Sequence, residues 1–287
     1  MKKPEIIAGM VQGASHKRKG TPCQDSCRVM WLRDDSVVIA VADGHGSSAS
    51  PFSKTGSAIA VNVFCKEIGA LFSGYQNDLD LLMTYLNRNR DTKIAQQIRK
   101  EWCSRVITNH RKKKRTIEAD PSGEIGSSAV FRQYGTTLLG LLVTPLFLFA
   151  FQIGDGDITF VDKTEVRPFV NASKILGTET HSLCKADAWK KANTAVYCCE
   201  SVLSCNTMIL LSTDGLSNSY RDEHEFMIAC RDYYSRKEQY GTKAVADNLK
   251  EWLQETSEKG CGDDITVVMA CFEQSNGVAE NTAACNA

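Results

Sequence analysis

Four apolar runs, each bounded by an aspartate, set the strongest limit on how this chain can fold. SVVIAVAD closes on Asp43, LFLFAFQIGD on Asp155 and TMILLSTD on Asp214, while Asp263 stands just ahead of ITVVMACF. The first run is apolar without alternation, which means burial on both faces, as in a central strand covered on each side. A carboxylate at the end of such a run is costly to bury unless it is paired or faces a cation, so four of them read together as one metal site. Gly44, Gly46, Gly154, Gly156, Gly215 and Gly262 lie within three residues of these aspartates, where a tight turn or a close backbone approach excludes a Cβ. Oxygen donors alone select a hard divalent ion, Mg²⁺ or Mn²⁺, over zinc, which prefers sulfur and imidazole.

The rest of the chain is a mixture of strands and helices. EIIAGMVQGAS, SCRVMWLR and SVVIAVAD read as three strands separated by polar turns. Ser50 and Pro51 then signal a helix whose apolar stripe is Ile59, Val63, Phe64, Ile68 and Leu71. Residues 76–118 are polar and helical, with Ile94, Ile98, Trp102 and Val106 at a four-residue step on one face of a long helix. The run His110 to Arg115, HRKKKR, reads either as a solvated basic helix end or as a docking patch for an anionic partner. PSGEIGSS at 121–128 is a loop, and GTTLLGLLV and LFLFAFQIGDGDITFVD read as two long antiparallel strands. The polar stretch 165–207 reads as a surface flap. Strand, turn and helix resume at TMILLSTDGLSNSY and KAVADNLKEWLQETSEK, followed by the last strand, DITVVMACF, and a frayed tail at 273–287.

Composition excludes several classes. With 34 basic and 34 acidic residues the formal net charge is zero, so no whole-molecule attraction to nucleic acid or to an anionic membrane is expected. The N-terminus, MKKPEIIAGMVQG, lacks a signal-peptide core, and no apolar stretch reaches the roughly 18 residues of a membrane span. A cytosolic monomer with one domain over 1–272 is the expectation. Twelve cysteines without a secretion signal or a CxxC spacing read as reduced, buried thiols rather than a disulfide framework or a zinc site.

The ordered set CQDS, VADGHG, GTTLLG, IGDGD, STDGLS and GDDITVV resembles the metal-dependent type 2C serine/threonine protein phosphatases, particularly their bacterial members, over roughly residues 5–272. The resemblance implies an α+β fold in which two facing antiparallel sheets, a β-sandwich, are flanked by helices, with a pair of Mn²⁺ or Mg²⁺ ions in the cleft at the sheet edges. By the same resemblance Asp43 bridges both ions, the Gly44 carbonyl holds one of them, and Asp214 and Asp263 complete the other. Asp25 serves directly or through water, Asp155 joins Asp214 in holding a third, weaker ion, and Asp264 stands behind the ligands. His45 resembles the general acid for the leaving alkoxide, and Thr136 and Thr137 support the metal loop. Two positions depart from the pattern. Gly20, in SHKRKGTPCQD, stands where many relatives carry an arginine for the substrate phosphate, leaving His16, Lys17, Arg18 and Lys19 as substitutes. Gln24 stands where many eukaryotic relatives have glutamate, which leaves one ion held more through water.

The implied activity is hydrolysis of phosphoserine and phosphothreonine in proteins by metal-activated water, with no covalent enzyme intermediate, opposite a serine/threonine kinase. The residue types suit that chemistry. Two divalent ions neutralise phosphoryl oxygens and acidify water, and a histidine titrating near neutrality can protonate the strongly basic leaving group. Each residue keeps a plainer reading. The aspartates also read as turn or cap residues, as Asp157 and Asp162 are read, and His45 as a loop hydrogen-bonder. The rival functions are a pseudophosphatase that binds phosphoproteins without hydrolysing them and, more weakly, a nucleic-acid binder using HRKKKR.

Overall fold

The computed structural model describes residues 3–116, 126–170 and 181–274. The chain begins with β1 (Glu5–Val11), a short helix α1 (Ala14–Lys19), β2 (Ser26–Arg33) and β3 (Ser36–Ala42). Three helices follow: α2 (Ser53–Gly74), α3 (Leu79–Asn89) and α4 (Ala95–Lys112), the last two joined by a π-helical turn at Arg90–Ile94. After α5 (Ser127–Arg132) come β4 (Leu138–Val143), β5 (Phe147–Ile153), β6 (Asp157–Asp162) and β7 (Val166–Pro168). The remainder is β8 (Asn193–Cys198), α6 (Cys199–Val202), β9 (Thr207–Ser212), α7 (Asp214–Ser217), α8 (Glu223–Lys259) and β10 (Ile265–Phe272).

The strands form two antiparallel five-stranded sheets, ordered β1-β10-β9-β6-β7 and β2-β3-β4-β5-β8. Their inner faces share a core of Val37, Ile39, Val41, Leu139 and Leu141 from one sheet against Ile158, Ile209, Leu211, Val268 and Ala270 from the other. The opposite face of β3, Val38, Ala40 and Ala42, packs under α2 and α4 with Phe64, Ile68 and Trp102. The outer face of the other sheet is covered by α8 through Phe226, Cys230, Leu249 and Leu253. This four-layer α/β/β/α arrangement explains the unbroken apolar run of β3, since each face meets a different core and neither meets water. The α+β sandwich implied by the resemblance is therefore the fold.

The predicted helical stripe of residues 94–106 is buried along its length, and Trp102 donates its indole N–H to the Gly56 carbonyl at 3.1 Å. Of the basic run, His110 turns inward and Arg115 lies over the Phe52 ring at 3.7 Å, while residues 111–114 are exposed. The described cysteines are free thiols. No helix among the described residues is long and apolar enough to cross a membrane.

Two expectations are corrected and a third is extended. LFLFAFQIGDGDITFVD is not one strand: it breaks at Gly154, with β5 in one sheet and β6 in the other. Gly154 takes φ of 119°, and a Cβ there would lie 2.5 Å from the Thr137 side chain, so this turn, which moves the chain between sheets, requires glycine. The 165–207 stretch is not purely surface flap, because it contributes β7 and the edge strand β8, which pairs with β5 and packs its turns through Leu183 and Ala188. The helix expected at 243–259 is the second arm of α8, which begins past the non-helical Gly241 at φ of 81° and ψ of 163°; a first arm from Glu223, capped by Asp222 accepting from the Glu225 amide at 2.9 Å, precedes it. Residues 117–125, 171–180 and 275–287, which include most of the predicted 121–128 loop, part of the flap and the tail, lie outside the described residues.

Because Trp102 is fully buried on α4 against α2 and the Phe131 ring of α5, Trp102→Ala is expected to lower stability by about 3–5 kcal/mol, the usual cost of emptying a large aromatic site. Urea unfolding followed by far-UV circular dichroism should show a reduced midpoint at an unchanged slope.

Candidate metal centre

Register brings the predicted aspartates to one end of the sandwich. Ser26 pairs with Ala42 and Asp157 with Ser212, so the residues just beyond these pairs, Asp25, Asp43, Asp155 and Asp214, emerge on the same rim, joined there by Asp263 ahead of β10. Thr136 and Thr137 hold Asp43 by its backbone. The Asp43 amide donates to the Thr137 hydroxyl at 2.9 Å, and its carbonyl accepts from the Thr137 amide at 2.9 Å and the Thr136 hydroxyl at 2.7 Å. Gly44 is wedged between Gln24 and Ser53, where a Cβ would lie 2.6 Å from the Gln24 carbonyl oxygen. The support role read for the two threonines is what the geometry gives.

Asp25 is buried, and its Oδ2 accepts from the hydroxyls of Thr266 at 2.7 Å and Thr213 at 2.8 Å. Its Oδ1 is buried without a hydrogen-bond partner. Asp264, also buried, accepts the Gly13 amide on Oδ1 and the Gln24 amide on Oδ2, each at 2.7 Å, and so pins both N-terminal segments to the start of β10. Asp214 opens α7 and accepts from the Asn218 side-chain amide at 2.9 Å.

The electrostatics are those of a site built for positive charge. Burial raises Asp43 well above the carboxylate range, and Asp25, Asp214, Asp263 and Asp155 push it further. Burial pushes Asp25 up to about 8 against the pull of its two threonine hydroxyls, with Asp264 and Asp263 adding to the rise. Burial, then Asp155, Asp263 and Asp157, push Asp214 up to about 7. Five carboxylates from separate segments thus act on one another in one place, and an orphaned buried oxygen on Asp25 faces no donor. A hard divalent cation meets both conditions, so the residues fit the metal that the resemblance implies.

The cleft above Asp43 is lined by His16, Gly44, His45, Arg132, Lys185 and Asp263, among others. The His45 amide donates to the Gly135 carbonyl at 3.1 Å, and its ring packs where a Gly135 side chain would stand. Burial lowers the His45 pKa, Asp155 works against that and Lys185 adds to it, so the imidazole has both a carboxylate and a lysine in range. Of the four residues read as substitutes for the missing arginine, His16 lines the cleft. Lys17 reaches the Gln254 side chain on α8, and Arg18 and Lys19 are exposed on α1. Gly20 closes α1 in the left-handed conformation at φ of 68°, which disfavours an arginine at this position. Sequence reasoning missed Arg132 and Lys185, because nothing in SSAVFRQYG or SLCKAD marks a residue that only tertiary folding brings to the rim. Among the described residues, the one group of three whose ligand atoms all lie within 4.8 Å of one another is His16, Asp263 and Asp264.

The sequence matches the protein phosphatase 2C family model over residues 12–254. Similar solved structures include the catalytic domain of the serine/threonine phosphatase PstP in complex with two manganese ions, at 15% identity and a TM-score of 0.56, covering 94% of this chain and 99% of that one. The serine/threonine phosphatase Stp1 from Staphylococcus aureus is 12% identical, with a TM-score of 0.57 over 96% of this chain and 98% of its own. PppA, a regulatory component of T6SS in Pseudomonas aeruginosa, is 15% identical, with a TM-score of 0.56 over 94% and 99%. At these identities the structural likeness shows the fold. No curated protein matches the sequence.

The raised carboxyls carry a sign. A folded-state pKa above the unfolded one means that the folded protein holds protons the unfolded chain has released, so this contribution to stability is complete below about pH 4 and is lost as pH rises through 7 to 8. Protein kept in EDTA is expected to show a melting temperature that falls between pH 5 and pH 8. Mn²⁺ or Mg²⁺ should raise that temperature more at pH 8 than at pH 6, as read by differential scanning fluorimetry at both pH values.

Proposed function

Because the chain belongs to the protein phosphatase 2C family, we propose that it is a Mn²⁺- or Mg²⁺-dependent serine/threonine protein phosphatase that hydrolyses phosphoserine and phosphothreonine monoesters in proteins. The observation that carries this reading is the convergence of Asp25, Asp155, Asp214 and Asp263 on Asp43 at the floor of an open cleft. Asp43 and the Gly44 carbonyl, with Asp25, Asp214 and Asp263, would hold two ions, and Asp155 with Asp214 a third. When bound, the ions would neutralise phosphoryl oxygens and make a coordinated water a competent nucleophile at neutral pH.

The chain's own residues supply the rest. Thr136 and Thr137 fix Asp43 through its backbone, so its carboxylate is set by β3 and β4 and not by a mobile loop. His45 projects into the cleft two residues beyond Asp43 and donates the proton that the serine or threonine alkoxide needs on leaving. Arg132 and Lys185 offer positive charge to the phosphoryl oxygens from the cleft wall, taking the part that an arginine at position 20 would play. The partner is a phosphorylated protein delivered by an opposing kinase, and the reading of a cytosolic monomer belongs to the same proposal.

Asp43→Asn is expected to abolish Mn²⁺-dependent release of phosphate from p-nitrophenyl phosphate and from a phosphothreonine peptide; full turnover by this variant would overturn the mechanism. Wild-type protein that binds Mn²⁺ and phosphopeptide without turnover would establish the binding-module alternative. Arg132→Ala should raise KM for the phosphopeptide about tenfold or more, the worth of one charge-assisted hydrogen bond at about 1.5–3 kcal/mol, with a smaller effect on kcat. Steady-state kinetics at fixed Mn²⁺ checks this.

A further inference from the structure

His16 is placed unlike a surface histidine. It lies on α1, its side chain is 14% exposed, and it is one of the residues lining the Asp43 cleft. Its Nδ1 is 3.0 Å from Oδ1 of the buried Asp264, and its Nε2 is 3.6 Å from Oδ1 of Asp263. The Nδ1 contact has hydrogen-bond length but an approach off the N–H direction, and Nδ1 has no other partner. Asp264 also holds the amides of Gly13 and Gln24, so one carboxylate positions the helix that carries His16 and the segment ahead of β2.

A second, separate observation points at the same spot. The position a Gly46 Cβ would take lies 3.8 Å from His16 Nε2 and 3.3 Å from Gln24 Oε1. Gln24 is 9% exposed, and its Oε1 is buried without a hydrogen-bond donor. A ring nitrogen, a carboxylate oxygen and an unpartnered amide oxygen therefore gather beside the Asp43–Gly46 loop.

We propose that His16 is a nitrogen ligand of the divalent cation held by Asp263, oriented by Asp264 from behind and accompanied by Gln24 Oε1. With Nδ1 3.0 Å from Asp264, Nε2 is the ring nitrogen turned toward Asp263, the carboxylate–histidine–metal order in which an Nδ1–H bond to Asp264, made once the ring aligns on a bound ion, would set the tautomer and the ring angle. Neighbouring donors at about 2.1 Å from an octahedral ion stand about 3.0 Å apart, so the observed 3.6 Å would close by a few tenths of an ångström on one ion. An imidazole in a site otherwise made of oxygens shifts preference from Mg²⁺, which keeps to oxygen and to its waters, toward Mn²⁺. The competing arrangement is an imidazolium that bridges the two carboxylates as an ion pair and touches no metal.

This inference rests on the metal-centre reading of the proposed function, and the test separates the two. Three-pulse electron spin echo envelope modulation of the full chain loaded with Mn²⁺ reports nitrogen bound to the ion. A directly coordinated ¹⁴N coupling is expected in the wild type, lost in His16→Gln and retained in His45→Gln. Calorimetric titration should show Mn²⁺ affinity reduced roughly 10–100-fold in His16→Gln, with Mg²⁺ affinity changed by less than about threefold. Wild-type protein that binds Mn²⁺ and hydrolyses phosphopeptide without a ¹⁴N coupling overturns the inference and leaves the phosphatase reading standing. Failure of the wild type to bind Mn²⁺ overturns both. The wild-type spectrum decides the first point, so poor folding of a variant does not block the test.

Discussion

Repulsion among carboxylates gathered at one rim of the sandwich is the constraint around which the site is organised. Asp43 feels Asp25, Asp214, Asp263 and Asp155 at once, and burial removes most of the water that would screen them. Without a cation, burial first and that repulsion second lead the group to retain protons, so that Asp25 and Asp214 are pushed up to about 8 and about 7. In the proposed reading, divalent cations would turn the same charges into ligands. The centre is thus unfavourable to the metal-free fold in proportion to how well it suits metal.

Holding such a cluster requires a frame that does not yield, and the two sheets supply it. Asp43, Asp155, Asp214 and Asp263 each sit within two residues of the end of a strand whose apolar side chains are locked in a core on both faces, and Asp25 precedes the half-buried edge strand β2, so relaxing the rim means disturbing the sandwich. Short polar links complete the frame. Thr136 and Thr137 tie Asp43 to β4, Thr213 and Thr266 tie Asp25 to β9 and β10, and Asp264 ties the residues before α1 and β2 to β10. These links use backbone amides and hydroxyls rather than cations, which leaves Arg132 and Lys185 on the cleft wall, and the cations of the proposed reading, to supply positive charge.

What was legible in the sequence was what local pattern dictates. The unalternating apolar run of β3 could be read because both faces meet core, and the step from Ile94 to Val106 because one helix face does. The aspartates stood out because a carboxylate at the end of a buried run is costly and four of them recur. What depends on tertiary placement was not legible. Nothing local distinguishes β8, whose residues are half-buried at a sheet edge, from a surface flap, and Gly154 looked like a turn within one sheet when it carries the chain between two. The first arm of α8 was passed over although Asp222 and Glu225 offered a start signal and Phe226, Cys230, Tyr233 and Tyr234 a helical stripe. Arg132 and Lys185 reach the cleft from segments far from any motif, and Lys17, adjacent in sequence to His16, turns instead to α8.

The most direct measurement of the central claim is a crystal structure of the protein grown with Mn²⁺, with anomalous differences recorded near the manganese edge. The account predicts at least two peaks about 3.5–4 Å apart, bridged by the Asp43 carboxylate and flanked by Asp214 and Asp263. Full occupancy of Mn²⁺ elsewhere on the molecule, with no peak at Asp43, would contradict it.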